Sequence, residues 1–163
     1  MSRDKSERRN SEPTPMSVEE QARDGFNSGH NCAESVLLAV SGQNNPAARV
    51  FGPCVPRIAT GFGGGISRNG DLCGALAGGV MAISLAFGRD TSTQDRDACY
   101  SAVDRFYNEF IQAFGSCRCR DITGLDLKNP EQREKYQSTV HYERCNPIVG
   151  WAAKKAHAII RRP

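Results

Sequence analysis

The stretch from Gly61 to Gly79, Gly-Phe-Gly-Gly-Gly-Ile-Ser-Arg-Asn-Gly-Asp-Leu-Cys-Gly-Ala-Leu-Ala-Gly-Gly, constrains this chain more than any other. A glycine-dense loop runs into a helix that carries a cysteine in its first turn. Gly61, Gly63, Gly64 and Gly65 free the backbone to reach φ > 0 and to pass close to another group with no Cβ in the way. Asn69-Gly70 is a turn pair, and Asp71 reads as the N-cap of the helix that follows. Cys73 then falls near N2, where unpaired N–H groups and the positive end of the helix dipole favour an anion. The anion expected there is the thiolate itself.

The rest of the chain reads as helices. Ser17 and Glu20 form a capping box, with Val18, Ala22 and Phe26 on one face and Ser28-Gly29 as the stop. Asn31 caps a second helix with Glu34 at N3, Cys32 at N1, and Ala33, Val36, Leu37 and Val40 as its buried stripe. A short helix is expected over Pro46 to Phe51. Leu72 to Phe87 is uncharged and apolar on nearly every side, as a central helix would be. Its 16 residues fall short of the roughly 20 a bilayer span needs. Thr91 to Phe114 is the longest periodic stretch, and Gly115-Ser116 ends it. Asn129-Pro130 opens a short polar helix to about Gln137. Asn146 and Pro147 then read as the N-cap and N1 of a last helix. No strand is evident. The fold predicted is all-α: a compact single-domain bundle of five to seven helices over residues 16–163, behind a disordered tail over 1–15.

Seven cysteines are the unusual feature of the composition. The N-terminus lacks the apolar core of a secretory signal, so a cytoplasmic setting is expected, where such thiols point to metal or redox chemistry. Cys32, Cys73 and Cys145 each fall at a predicted helix start, and Cys117 and Cys119 lie in an arginine-rich loop. Each setting is expected to stabilise a thiolate. If the helix ends converge, the result is a four-thiolate pocket under the glycine loop, with glycine N–H groups directed at sulfur. Such a pocket suits an iron–sulfur cluster or a pair of redox-active disulfides. Cys99, on the apolar face of its helix, reads as a buried small hydrophobe, and Cys54 as structural.

The runs Asn31-Cys-Ala-Glu-Ser-Val-Leu37, Cys73-Gly-Ala-Leu-Ala-Gly78 and Cys119-Arg-Asp121, with Cys145 before the final helix, resemble the C_GCAxxG_C_C family of redox-active proteins. The resemblance covers residues 17 to 160. It implies that the four characteristic cysteines are Cys32, Cys73, Cys119 and Cys145, with Cys117 the other candidate for the third position. It brings redox activity and no substrate.

Other chemistries fit less well. Gly65-x4-Gly70 is followed by Asp71-Leu72 rather than Lys-Ser/Thr, so the phosphate-cradle pattern fails, and the dinucleotide fingerprint lacks its strand and spacing. No Cys-x-x-Cys-His marks haem attachment. A net charge of +3 gives no case for nucleic acid. His30 and His141 stand near Cys32 and Cys145, where surface or capping roles outweigh ligation. The function expected is electron transfer by an iron–sulfur cluster, [2Fe–2S] before [4Fe–4S]. Its metal ligands are Cys32, Cys73, Cys119 and Cys145, lined by Gly63, Gly64, Gly65 and Gly74. Thiol–disulfide exchange led by Cys73 and a zinc-stabilised interaction module are the alternatives. A redox partner protein is implied, with Arg68, Arg118, Arg120 and Arg144 as a candidate rim for it. A homodimer through Trp151 is plausible, with no nucleic acid and no membrane insertion expected.

Overall fold

Two reciprocal caps fix where the first helices begin. Ser17 Oγ accepts from the Glu20 N–H at 3.2 Å while the Glu20 carboxylate accepts from the Ser17 N–H at 2.8 Å, which sets α1 at Val18–Asn27. Asn31 Oδ1 accepts from the N–H groups of Ala33 and Glu34, and Glu34 returns the bond to the Asn31 N–H at 2.9 Å. That starts α2, Cys32–Ser41, on Cys32 itself. Between them Gly29 takes φ 108°, a conformation glycine adopts without a Cβ penalty. The computed structural model describes residues 15–42 and 54–162. The expected tail over 1–15 lies almost entirely outside these residues, and the short helix expected over Pro46–Phe51 lies wholly outside them.

A 3-10 turn at Arg57–Phe62 leads through the glycine loop to α3, Gly74–Phe87. This is the central helix. Its residues from Gly74 to Gly79 are all buried, and it packs against α2, the following helix and the last one. A Cβ on Gly78 would stand 2.5 Å from the Ala33 carbonyl oxygen, so the two backbones touch where a side chain is missing. α4, Asp97–Phe114, starts later than the Thr91 expected. Residues 90–94 form a loop instead, because the Gln94 side-chain carbonyl accepts from the Asp90 and Thr91 N–H groups. Gly115 closes α4 at φ 78°, its N–H bonded to the Ile111 carbonyl. α5 is the single turn Cys119–Thr123.

From Pro130 to Arg161 the backbone runs as one unbroken rod. α6 (Pro130–Lys135) passes into a π-helical stretch (Tyr136–Cys145) and then into α7 (Asn146–Arg161). The helix start expected at Asn146 is therefore absent. Asn146 sits in the helix interior with φ −59° and ψ −47°, and its N–H bonds to the His141 carbonyl. Its side chain is spent on tertiary contacts: Oδ1 accepts from Arg23 Nε at 2.7 Å, and Nδ2 donates to Asn27 Oδ1 at 2.9 Å. These tie the rod to α1, whose main neighbour is α7. Proline at 147 has no N–H to give and its ring clashes with the carbonyl four residues back in an α-helix. The wider turns end just before it.

The molecule is all-α, as expected, with seven α-helices and no strand among the described residues. The nearest approach to a strand is one antiparallel bridge between Leu72 and Arg118. Phe106 and Phe110 of α4 are wholly buried, each contributing about 1.5–3 kcal/mol by burial. Phe110 and Phe114 stack edge-on against Trp151 of α7, at ring distances of 5.9 and 5.0 Å. Trp151 thus belongs to an aromatic cluster inside one copy of the chain. No helix among the described residues is long and apolar enough to cross a membrane.

Because the α2–α3 contact has no room for a methyl group at position 78, Gly78→Ala should lower unfolding stability by about 1–3 kcal/mol. Gly61, with nothing within 4 Å of its missing Cβ, should accept alanine with no loss. Urea denaturation of the two variants checks the contrast, and equal midpoints would contradict the packing.

Candidate functional site

Cys32, Cys73, Cys119 and Cys145 line one cavity of about 20 Å³, room for about a single water. They arrive from four directions. Cys32 is the first residue of α2, Cys73 the residue before α3, Cys119 the first residue of α5, and Cys145 the last of the π stretch. Cys73 and Cys119 are buried and the other two half-buried. Two placements differ from expectation. Cys119 heads a helical turn rather than lying in a loop. Cys145 lies within a continuous rod rather than at a helix start. Asp71 likewise does not cap α3; Cys73 occupies that position, and Asp71 serves another purpose.

That purpose is to stitch two cysteine segments together. The Cys119 N–H donates to the Asp71 carbonyl at 2.7 Å, the Cys73 N–H donates to the Cys117 carbonyl at 2.7 Å, and the Arg120 N–H donates to the Gly70 carbonyl at 3.0 Å. Cys119 faces the cavity, whereas Cys117 is not part of its lining and bears on Tyr107. Cys99 is buried against Ser84 and Cys54 is exposed, and neither reaches the cavity.

The glycines explain how the sulfurs come so near the backbone. A Cβ on Gly74 would stand 2.3 Å from Cys32 Sγ, and one on Gly65 2.6 Å from the Cys119 Cβ. Gly64 is part of the cavity wall. Gly63 does something else: it packs beneath the Asn31 side chain that caps α2. The loop also holds a feature that sequence reasoning missed. Five consecutive residues, Gly64 through Arg68, have positive φ, between 49° and 70°. Three of them, Ile66, Ser67 and Arg68, carry side chains, at a cost of roughly 1–2 kcal/mol each. The turn is held by bonds from the N–H groups of Ser67, Arg68 and Gly70 to the carbonyls of Gly61, Gly63 and Gly64.

The π stretch has its own geometric effect. Tyr136 and Cys145 are nine positions apart. With i→i+5 bonding and roughly 4.4 residues per turn, nine positions make two turns and share a face. In an α-helix of 3.6 per turn they would point to opposite sides. The Tyr136 hydroxyl accordingly bears on the Cys145 thiol.

Electrostatically, burial wins over the helix ends. It raises the Cys32 thiol, with the N–H groups of Gly64, Ala33 and Gly74 acting on the sulfur in the opposite sense. Burial, then the neighbouring Cys32, push Cys73 well above the thiol range, against the N–H groups of Leu76 and Ala75. Cys119 is pushed up to about 11 by burial and Cys32. Cys145 is pushed up to about 12 by burial, Cys32 and Cys119, with the Tyr136 hydroxyl and Arg144 opposing. Against the expectation of stabilised thiolates, all four thiols are raised: desolvation outweighs the aimed dipoles. A nearby cation would act in the opposite sense, favouring the thiolate.

Among the described residues, no group of three or more His, Cys, Asp or Glu side chains is spaced to hold a metal ion. The proposed arginine rim is partly engaged: Arg120 pairs with Asp126 at 3.2 Å, and Arg144 donates to the Ile122 carbonyl. His30 and His141 do not line the thiol cavity. His141 stacks on Phe26 at 4.1 Å, and burial lowers its pKa.

The fold and this cavity define an all-helical protein built around four convergent thiols. Residues 30–159 match the family described as "Putative redox-active protein (C_GCAxxG_C_C)". The chain belongs to that C_GCAxxG_C_C family, to which redox activity is ascribed. An uncharacterized protein of Archaeoglobus fulgidus is 32% identical over 126 residues, 71% of this chain and 80% of the relative. No solved structure matches the chain.

Two outcomes test the local account. Ile66→Asn should raise stability by about 1 kcal/mol, because asparagine tolerates positive φ and a β-branched residue does not; a loss of that size would contradict the strain. In reduced, chelator-treated protein, alkylation of Cys119 and Cys145 should be slow at pH 8 and accelerate toward pH 11–12. The folded state keeps its thiol protons to higher pH than the unfolded chain. Stability should therefore fall as pH rises from about 9 toward those values. Mass-mapped iodoacetamide kinetics, with exposed Cys54 as internal reference, decide it; equal rates at pH 8 would refute the burial effect.

Proposed function

We propose that this protein is an iron–sulfur electron carrier whose cluster is held by Cys32, Cys73, Cys119 and Cys145. One observation carries the reading: four thiols from four separate elements meet in one enclosed cavity whose lining contains no carboxylate and no imidazole. All-thiolate ligation is what iron–sulfur clusters use. When bound, such a cluster takes up and releases single electrons. The cavity has room for about a single water, so the thiols must move apart to admit a cluster, and the smaller [2Fe–2S] form asks less of that movement than [4Fe–4S].

The chain's own contribution is to orient and to insulate. The N–H groups of Gly64, Ala33 and Gly74 bear on the Cys32 sulfur, and those of Ala75 and Leu76 on Cys73. Hydrogen bonds to ligand sulfur and exclusion of water are the levers by which a protein sets a cluster's potential. Gly74 is essential to this arrangement, since any side chain there would displace the Cys32 sulfur. Thiol–disulfide exchange led by Cys73 is less favoured, because an attacking thiol works as thiolate and burial keeps Cys73 protonated. Zinc on the same four sulfurs is the other metal reading. An electron carrier in the cytoplasm also needs a redox partner protein, and a homodimer is compatible with this role.

Protein purified without oxygen should be brown, with iron and acid-labile sulfide in equal amounts and four cysteines protected per cluster. Cys73→Ser should lose most of the iron, and Cys99→Ala should keep it. Colourless protein with one zinc would establish the zinc reading instead. Metal-free protein whose thiols oxidise in pairs would establish the exchange reading.

A further inference from the structure

Beside the thiol cavity lies a second, wider one of about 460 Å³, open to solvent. The two share Cys32, Gly64, Leu127 and Tyr136, which form the wall between them. The outer cavity is lined by Arg68 and Arg133 and by His30 and His141, and no aspartate or glutamate joins the lining. Neither guanidinium has a carboxylate or a side-chain hydrogen-bond partner among the described residues; other arginines, such as Arg57 and Arg118, are likewise unpartnered, but Arg68 and Arg133 are the two that line this cavity.

Arg68 is held there deliberately. It ends the left-handed turn at φ 66°, and Gly64 gives it room, since a Cβ on that glycine would come within 3.1 Å of the Arg68 Cα and Cγ. A fold that keeps Ile66, Ser67 and Arg68 in a strained conformation stores several kcal/mol by the roughly 1–2 kcal/mol each costs. Strain of this kind collects at binding and active sites. Arg133 comes from the other side, on α6, one turn before Tyr136. Concave spaces of roughly 300–1,000 Å³ are the size that takes metabolites rather than the face of a protein. Two forked, unpaired guanidiniums in such a space match a phosphate or a carboxylate pair.

We propose that this outer cavity binds a small molecule bearing a doubly charged oxyanion, a phosphate or a dicarboxylate, gripped by Arg68 and Arg133 and set against the Cys32 wall. The site itself stands on the cavity and its unpaired cations.

Thermal unfolding of the full chain at constant ionic strength tests it, with inorganic phosphate and malonate as probes against sodium chloride. A ligand of the folded state raises the midpoint in proportion to its occupancy. Either probe should raise the wild-type midpoint, phosphate alone assigning a phosphoryl ligand and malonate alone a dicarboxylate. The double variant Arg68→Asn/Arg133→Gln should lose at least tenfold in affinity, asparagine being chosen because it tolerates the left-handed backbone. Arg105→Gln, on the far helix, should bind like wild type. No shift with either probe, or a shift kept in the double variant, would overturn the proposal. Iron content of the same samples reports on the cluster separately, so the two ideas fail independently.

Discussion

A missing methyl group at position 74 governs the rest of this structure. The space a Cβ would need is taken by the Cys32 sulfur, so the starts of α2 and α3 lie against each other. Once those two helix ends meet, Gly78 brings the backbones together one turn later, and Phe106 fills the face left open by Gly79. The close contact leaves room for only about a single water beside the sulfurs. Helix ends normally expose N–H groups to solvent; here several are turned onto buried thiols, while burial itself keeps those thiols protonated in the absence of a cation. Metal binding to such a set releases protons and contributes folding free energy.

Much of this was legible because it is written locally. Ser17 with Glu20 and Asn31 with Glu34 are short-range side-chain patterns, and both caps formed as read, placing Cys32 at a helix start. Spacing alone placed Cys99 in the core. The same local logic misled at Asn146-Pro147, a strong start signal on paper. There the asparagine side chain bonds to Arg23 and Asn27 instead, partners more than a hundred residues away that no local window contains. The π stretch was illegible for the same reason: nothing in Tyr136 to Cys145 announces a wider turn. Ile66-Ser67-Arg68 gave no hint of positive φ either, since none of the three favours it. The glycines around them did mark the place.

The two cavities give a reason for these irregular segments. The left-handed turn brings Gly64 to the inner wall and Arg68 to the outer space. The π stretch brings Tyr136 to both and Cys145 to the inner one. Each departure from regular backbone thus places a residue on the boundary between a buried thiol set and a cationic opening. Regular helices supply the scaffold and the irregular turns supply the site, a division of labour expected where local preference yields to function.

X-ray absorption at the iron edge of anaerobically prepared protein tests the central claim most directly, because it reports which atoms surround the metal. Four converging thiols require a first shell made only of sulfur, with a neighbouring iron beyond it. A shell containing nitrogen or oxygen donors from this chain, or iron without an iron neighbour, would contradict the account.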